Sequence, residues 1–267
     1  MKCYKFWVHE TKTIRIDGEL KSITLTAGSN ISKTDASANA SKLAAAIERH
    51  IPNGTGSYRQ DSYEASIKEH VAKEVDSNNV ITINRYGAQV LNTTKYTVLD
   101  IDHYSTHPIM KLFGVTSENT KDNMLAKFKR RIKRYPEFGE SFRVYETCRG
   151  IRVIGKEYVD PQIKRFLKAM RSLGVDPLYS VLCKKQNCYR VRLTPKPYRM
   201  KIATIKIKAP WDCETESYNT WQKQYAEASN AYSVAKLREV IGKDFWDDPI
   251  VFLHDQMTHM RSDSPLA

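Results

Sequence analysis

Three short apolar runs crowd into residues 80–101: Val80-Ile-Thr-Ile83, Ala88-Gln-Val-Leu91 and Tyr96-Thr-Val-Leu-Asp-Ile101. Each is too short for an ordinary helix, and the turn signals Tyr86-Gly87 and Asn92-Thr93 separate them. Strands this close together are joined by tight turns, which commits the centre of the chain to a sheet with antiparallel neighbours. A second hairpin signal lies at Thr13 to Thr26, where apolar and polar residues alternate around Asp17-Gly18. A third joins Phe142-Arg-Val-Tyr145 to Ile151-Arg-Val-Ile154 through Cys148-Arg149-Gly150. Tyr189 to Leu193 and Met200 to Lys208 alternate as further strands.

Helical patterns fill the intervals. Ser32 to His50 is Ala-rich, opens on capping residues and stops before Pro52. Tyr63, Ile67 and Val71 recur every four residues, which predicts a helix over 61–75. Ser117 to Tyr135, Pro161 to Leu173, a short helix capped by Asp176-Pro177, Tyr218 to Val240 and Pro249 to Met257 complete the set. The expected class is α+β, with a mixed, mainly antiparallel central sheet and flanking helices. The expected organisation is an N-terminal α+β lobe over 1–78, a core over 79–210 and a C-terminal helical segment over 211–267.

The chain has 267 residues, 41% of them hydrophobic, enough for a substantial core. No apolar run reaches the roughly 18 residues that a membrane span needs. The first nine residues are too polar for a signal peptide and read as a strand. Five cysteines without a framework spacing point to a reducing, cytoplasmic setting and predict no zinc site. The oligomeric state leaves no mark in the sequence.

The net charge is +13, and it is unevenly placed. Residues 101–200 hold 22 Lys/Arg against 9 Asp/Glu, while the flanking parts nearly balance. Such a surplus suits a polyanion, so DNA, RNA or a nucleoside triphosphate is the expected partner. The run Lys127-Phe-Lys-Arg-Arg-Ile-Lys-Arg134 places Phe128 and Ile132 on one helical stripe. Lys127, Lys129, Arg130, Arg131, Lys133 and Arg134 cover the rest, as a contact for a phosphate backbone or as a solvated face.

Asp100 and Asp102 end an apolar strand. Residues two apart share a face, so Leu99 and Ile101 face the core and both carboxylates face the other way. Two like charges that close call for a compensating cation, and Mg²⁺ or Mn²⁺ takes oxygen ligands of this kind. The alternative is a strand end whose acids pair with arginines. His103 and His107 extend the motif, but Ser105, Thr106 and Pro108 predict a loop there. Arg143, Arg152, Arg190 and Arg192 project from strands, with Arg149 in a turn and Lys196, Tyr198 and Arg199 just beyond. They read as phosphate-binding groups, or as an exposed face paired with Glu146, Glu157 and Asp160.

Together, Val98-Leu-Asp-Ile-Asp102, the hairpin Tyr145-Glu-Thr-Cys-Arg-Gly-Ile-Arg-Val153 and Tyr189-Arg-Val-Arg-Leu-Thr-Pro195 resemble the catalytic core of the archaeo-eukaryotic primase (primase-polymerase) superfamily. That resemblance covers residues 80–200 and implies an RRM-like core. It also implies metal-dependent nucleotidyl transfer from nucleoside triphosphates, and a role in replication. Asp100 and Asp102 match the family's acidic pair, and Asp160 best matches its third acid, with Asp176 and Asp212 as alternatives. Arg152 stands where the family has a histidine, which is a departure. The segment Asn84 to Thr93 also resembles one in bacterial proteins that carry no assigned activity. The competing classes are a non-catalytic nucleic-acid binder on the same scaffold and a metal-dependent nuclease or phosphohydrolase.

Overall fold

The computed structural model describes residues 1–16, 18–50, 66–102 and 121–267. Strands β1 (Phe6–Ile16) and β2 (Glu19–Ser29) form a long antiparallel hairpin, and α1 (Lys33–His50) packs against both. Ser32 Oγ accepts the Asp35 N–H at the start of α1.

Two four-stranded antiparallel sheets follow. One has the order β3-β4-β5-β9, from β3 (His70–Asp76), β4 (Asn79–Ile83), β5 (Gln89–Thr93) and β9 (Tyr189–Arg192). The other has the order β10-β7-β8-β6, from β6 (Thr97–Asp102), β7 (Phe142–Thr147), β8 (Gly150–Gly155) and β10 (Ala235–Ile241). β6 and β7 both run antiparallel to β8, so they are parallel to one another with β8 between them. The connection from β6 to β7 carries α2 (Lys121–Ile132), which makes a split β-α-β unit. The fourth strand, β10, pairs with β7. A ferredoxin-like order would put it beside β6.

The second sheet divides its residues by face. Leu99, Val144, Ile151 and Val153 point to one side, toward α2 and α3 (Lys164–Leu173). Those helices supply Met124, Leu125, Phe128 and Ile132, and Phe166, Ala169, Met170 and Leu173, all buried at helical spacing. Burying each large apolar side chain contributes about 1.5–3 kcal/mol. Asp100, Arg143, Tyr145 and Arg152 point to the other side, where α6 (Pro249–Met257) lies. Leu91 and Val191 of the first sheet, and Leu193 just beyond β9, join the same apolar core. The remaining α-helices among the described residues are α4 (Pro177–Gln186) and α5 (Glu216–Ser229).

Several expectations are corrected. The described part of the 61–75 segment is strand from His70 onward, paired with β4. That hairpin runs across residue 78, the expected lobe boundary. The helix expected over 218–240 ends at Ser229, and the chain enters the sheet as β10. The 211–267 segment is therefore not purely helical. Met200 to Lys208 makes no ladder: a short 3₁₀ helix spans Pro197–Met200, and an irregular stretch follows.

Candidate functional site at the end of strand β6

The site is built on the C-terminal end of β6. Gly150 pairs with Asp102 there, and an added Cβ would lie 2.1 Å from the Ile101 carbonyl oxygen. Only glycine allows the two strands to approach so closely. Gly174 ends α3 in the left-handed conformation, at φ +91. The chain then turns back to β6, and the Asp176 N–H donates to the Asp100 carbonyl at 3.2 Å. The Asp176 carboxylate caps α4, its Oδ1 accepting the N–H groups of Leu178 (2.6 Å) and Tyr179 (3.0 Å).

Asp100, Asp102 and Asp176 thus lie near one another at one end of the sheet. Asp160 does not join them. The Val159 N–H donates to Thr97 Oγ1 at 2.9 Å, which holds the Asp160 segment by the opposite end of β6. Its carboxylate accepts the Gln162 N–H instead. Asp212 caps a separate 3₁₀ turn, accepting the N–H groups of Lys208 and Ala209. His103 and His107 lie outside the described residues.

The three acids face a basic rim. Burial raises the Asp102 carboxyl above the usual carboxylate range, and neighbouring Asp100 adds to this; Lys196 and Arg199 oppose it. Lys196 is lowered by its own burial and by Arg192. Arg192 is lowered by burial and by Arg152; its guanidinium donates to the Thr194 carbonyl, and no carboxylate pairs with it among the described residues. Tyr198 is exposed, with the Lys196 Nζ 6.0 Å and the Arg199 Cζ 5.8 Å from its ring centre. Burial pushes the Tyr198 hydroxyl up, but Lys196, Arg199 and Arg149 outweigh it and leave it below a free phenol.

The other arginines take structural places. Arg152 is 2% exposed and pairs with Asp100, Nε to Oδ1 at 3.0 Å. Its Nη1 also donates to the Arg192 carbonyl (3.0 Å) and faces His254 Nε2 (3.4 Å). Arg143, also 2% exposed, bonds Asp255 at 2.8 Å, Asp244 and the Tyr145 hydroxyl. Arg190 pairs with Glu69 at 2.5 Å. Arg143, Arg152 and Arg190, expected to hold phosphates, are committed to carboxylates of the chain itself. On α2 and just after it, Lys127, Arg130, Lys133 and Arg134 are exposed. Lys129 pairs with Glu239, and Arg131 donates to the Ser172 carbonyl.

His254 is central to the buried network. Its Nδ1 lies 2.9 Å from Asp255 Oδ1, and a carboxylate can only accept, so Nδ1 carries the proton. Its Nε2 faces a guanidinium, which can only donate, so the ring is neutral. Burial lowers its pKa, and Arg152 adds to this against the opposing pull of Asp255. The sequence did carry a signal for this residue. Ile250, Val251 and His254 share the inward stripe of α6, so the histidine is buried by periodicity alone.

No family model, curated protein or solved structure matches the chain. The geometry stands by itself.

Among the described residues, Asp102 accepts no hydrogen bond, and neither Asp100 Oδ2 nor Asp176 Oδ2 has a hydrogen-bond partner. No group of three His, Cys, Asp or Glu close enough to hold an ion occurs among the described residues. Asp100 and Asp102 still fit the way Mg²⁺ or Mn²⁺ is commonly held, by one or two carboxylates completed by phosphate oxygens and water. No helix among the described residues is long and apolar enough to cross a membrane.

Proposed function

We propose that the chain binds nucleic acid through its phosphates at the rim formed by Arg149, Arg192, Lys196 and Arg199. The observation that carries this reading is the convergence of these cations, three of them partly buried, around Tyr198 and the end of β6. Holding several cations close together raises the energy of the free protein. An anionic ligand relieves that repulsion, and its phosphate oxygens take up the open donors. Tyr198 offers a face for an unstacked base.

A second reading is nucleotidyl transfer at the same place, with a primase-polymerase-like core. Asp102 favours it: a half-buried carboxylate that accepts no hydrogen bond among the described residues and lies beside Asp100 and Asp176 is available to a cation. Asp100 and Asp102 would hold Mg²⁺ or Mn²⁺, which supplies charge stabilisation at a transferring phosphoryl group. The split β-α-β unit supports this reading, and the placement of β10 departs from it.

One set of measurements tests both. Fluorescence anisotropy with a labelled single strand should show affinity falling steeply between about 50 and 200 mM salt. The double variant Lys196→Ala/Arg199→Ala should bind about tenfold more weakly, with a shallower salt slope. Affinity that ignores both salt and this variant sinks the binding proposal. With template, labelled nucleotides and Mn²⁺, strand extension that Asp102→Asn abolishes supports the transfer reading. Extension unchanged in Asp102→Asn refutes it, and shortening of the strand identifies a nuclease instead.

A further inference from the structure

A second site lies away from the end of β6, along the outer face of α6. A cavity of about 660 Å³ opens there, a volume suited to a small ligand. Phe252, Asp255 and Gln256 recur along that face at helical spacing and line it, and His259 lines it just beyond the helix end. Trp246, Asn230, Met260 and Arg261 complete the wall.

The site is rigidly built. Arg143 and Asp255 form its base, and their 2.8 Å ion pair fixes both. Phe245 is buried and stacks on Tyr96, with ring centres 6.2 Å apart, which anchors the loop before α6. The next residue, Trp246, is left 56% exposed at the cavity mouth, and Phe252 is 49% exposed. His259 adopts a left-handed backbone, φ +53, a conformation uncommon outside glycine and seen most where structure enforces it. Its Nδ1 donates to the Tyr232 carbonyl at 2.9 Å, so in the neutral ring Nε2 is an acceptor.

Three polar side chains in the wall, Asn230, Gln256 and Arg261, make no hydrogen bond or ion pair among the described residues. The cavity thus offers two exposed aromatic faces, two amides that both donate and accept, and one unpaired cation. That combination suits a flat ring with donors and acceptors on its edge and an anion attached. Aromatic faces stack on the ring. Amides read mixed edges, as Asn and Gln do for adenine. Arg261 is placed for the anion.

We propose that this cavity binds a nucleobase, with its phosphate toward Arg261. The base comes either from a free nucleotide or from a single strand. The proposal does not depend on the phosphate rim at β6, which uses none of the same residues.

The full chain should be titrated with the four nucleoside 5′-monophosphates, and separately with a short single-stranded oligonucleotide. Tryptophan emission reports Trp246, and calorimetry reports binding independently. Saturable binding of at least one monophosphate at sub-millimolar concentration is expected. It should weaken tenfold or more in Phe252→Ala and in Gln256→Leu. Both altered side chains are exposed, so melting temperatures should match the wild type. Trp246→Phe should remove the emission change but retain much of the calorimetric signal. Binding of the oligonucleotide alone, with the same sensitivity to Phe252→Ala and Gln256→Leu, assigns the base to a strand. No saturable binding of either kind overturns the proposal. So does binding that ignores Phe252→Ala and Gln256→Leu, or a neutral monosaccharide that binds as tightly as the nucleotide.

Discussion

At the scale of single residues, the centre of the molecule is a chain of buried charges. Asp100, Arg152, His254, Asp255 and Arg143 follow one another through hydrogen bonds. Asp100 compensates Arg152 and Asp255 compensates Arg143, with neutral His254 linking the two pairs, so removing one charge leaves its partner unpaired. Arg152→Ala should therefore cost about 3–5 kcal/mol in urea unfolding. Asp100→Ala strips Arg152 of its carboxylate and should also destabilise, so lost activity in that variant would not identify a catalytic acid. Asp102→Asn gives the cleaner test. His254 makes a pH prediction. It faces Asp255, Arg152, Tyr145 and, more distantly, Asp100. Its folded pKa lies below the ordinary value of about 6.5, so below that pH the unfolded chain binds more protons than the folded one. Stability should fall as pH drops from about 6.5. Asp255 is also lowered, and its contribution is lost only at more acidic pH, below the ordinary carboxylate value. Unfolding at pH 7.5 and 5.5 should show the loss in the wild type and a smaller one in His254→Gln.

At the scale of elements, what was legible depended on how regular each element is. The hairpin β1–β2, the helices α2 and α3 and the capped starts of α4 and α6 follow their local signals. β10 did not, because a bulge between Leu237 and Glu239 breaks its alternation. Val234, Leu237 and Val240 then recur every three residues and imitate a helix. β3 hides for a similar reason: two register shifts interrupt its pairing with β4. Residues 202–208 do alternate, and Ile205 and Ile207 pack with Tyr218 and Trp221, but no strand among the described residues pairs with them. Alternation reports which face is buried; a ladder also needs a partner. The pairing of β6 with β8 rests on Gly150. Gly150→Ala places a Cβ against the Ile101 carbonyl and should cost about 2–3 kcal/mol or more, read as a lowered melting temperature. The same change should displace Asp102 and weaken whatever the site binds.

At the scale of the whole molecule, the C-terminal quarter completes the core. β10 extends the second sheet and α6 covers its charged face. A chain ended after residue 210 would leave Arg143 without Asp244 and Asp255, and Arg152 without His254. It should show no cooperative thermal transition by circular dichroism, whereas a separate helical appendage would leave one. By itself, the sequence determined the α+β class, most strands and helices, the strand end bearing Asp100 and Asp102, and the basic middle of the chain. The tertiary structure decided the partners. Arg152 meets Asp100 across 52 residues and Arg143 meets Asp255 across 112. It also decided that Asp176, and not Asp160, lies beside the acidic pair, and that α6 has a cavity on its outer face. The reason is physical. Periodicity arises between residues a few positions apart, whereas the partner of a charge and the shift in its pKa depend on distances and burial that exist only once the chain has packed.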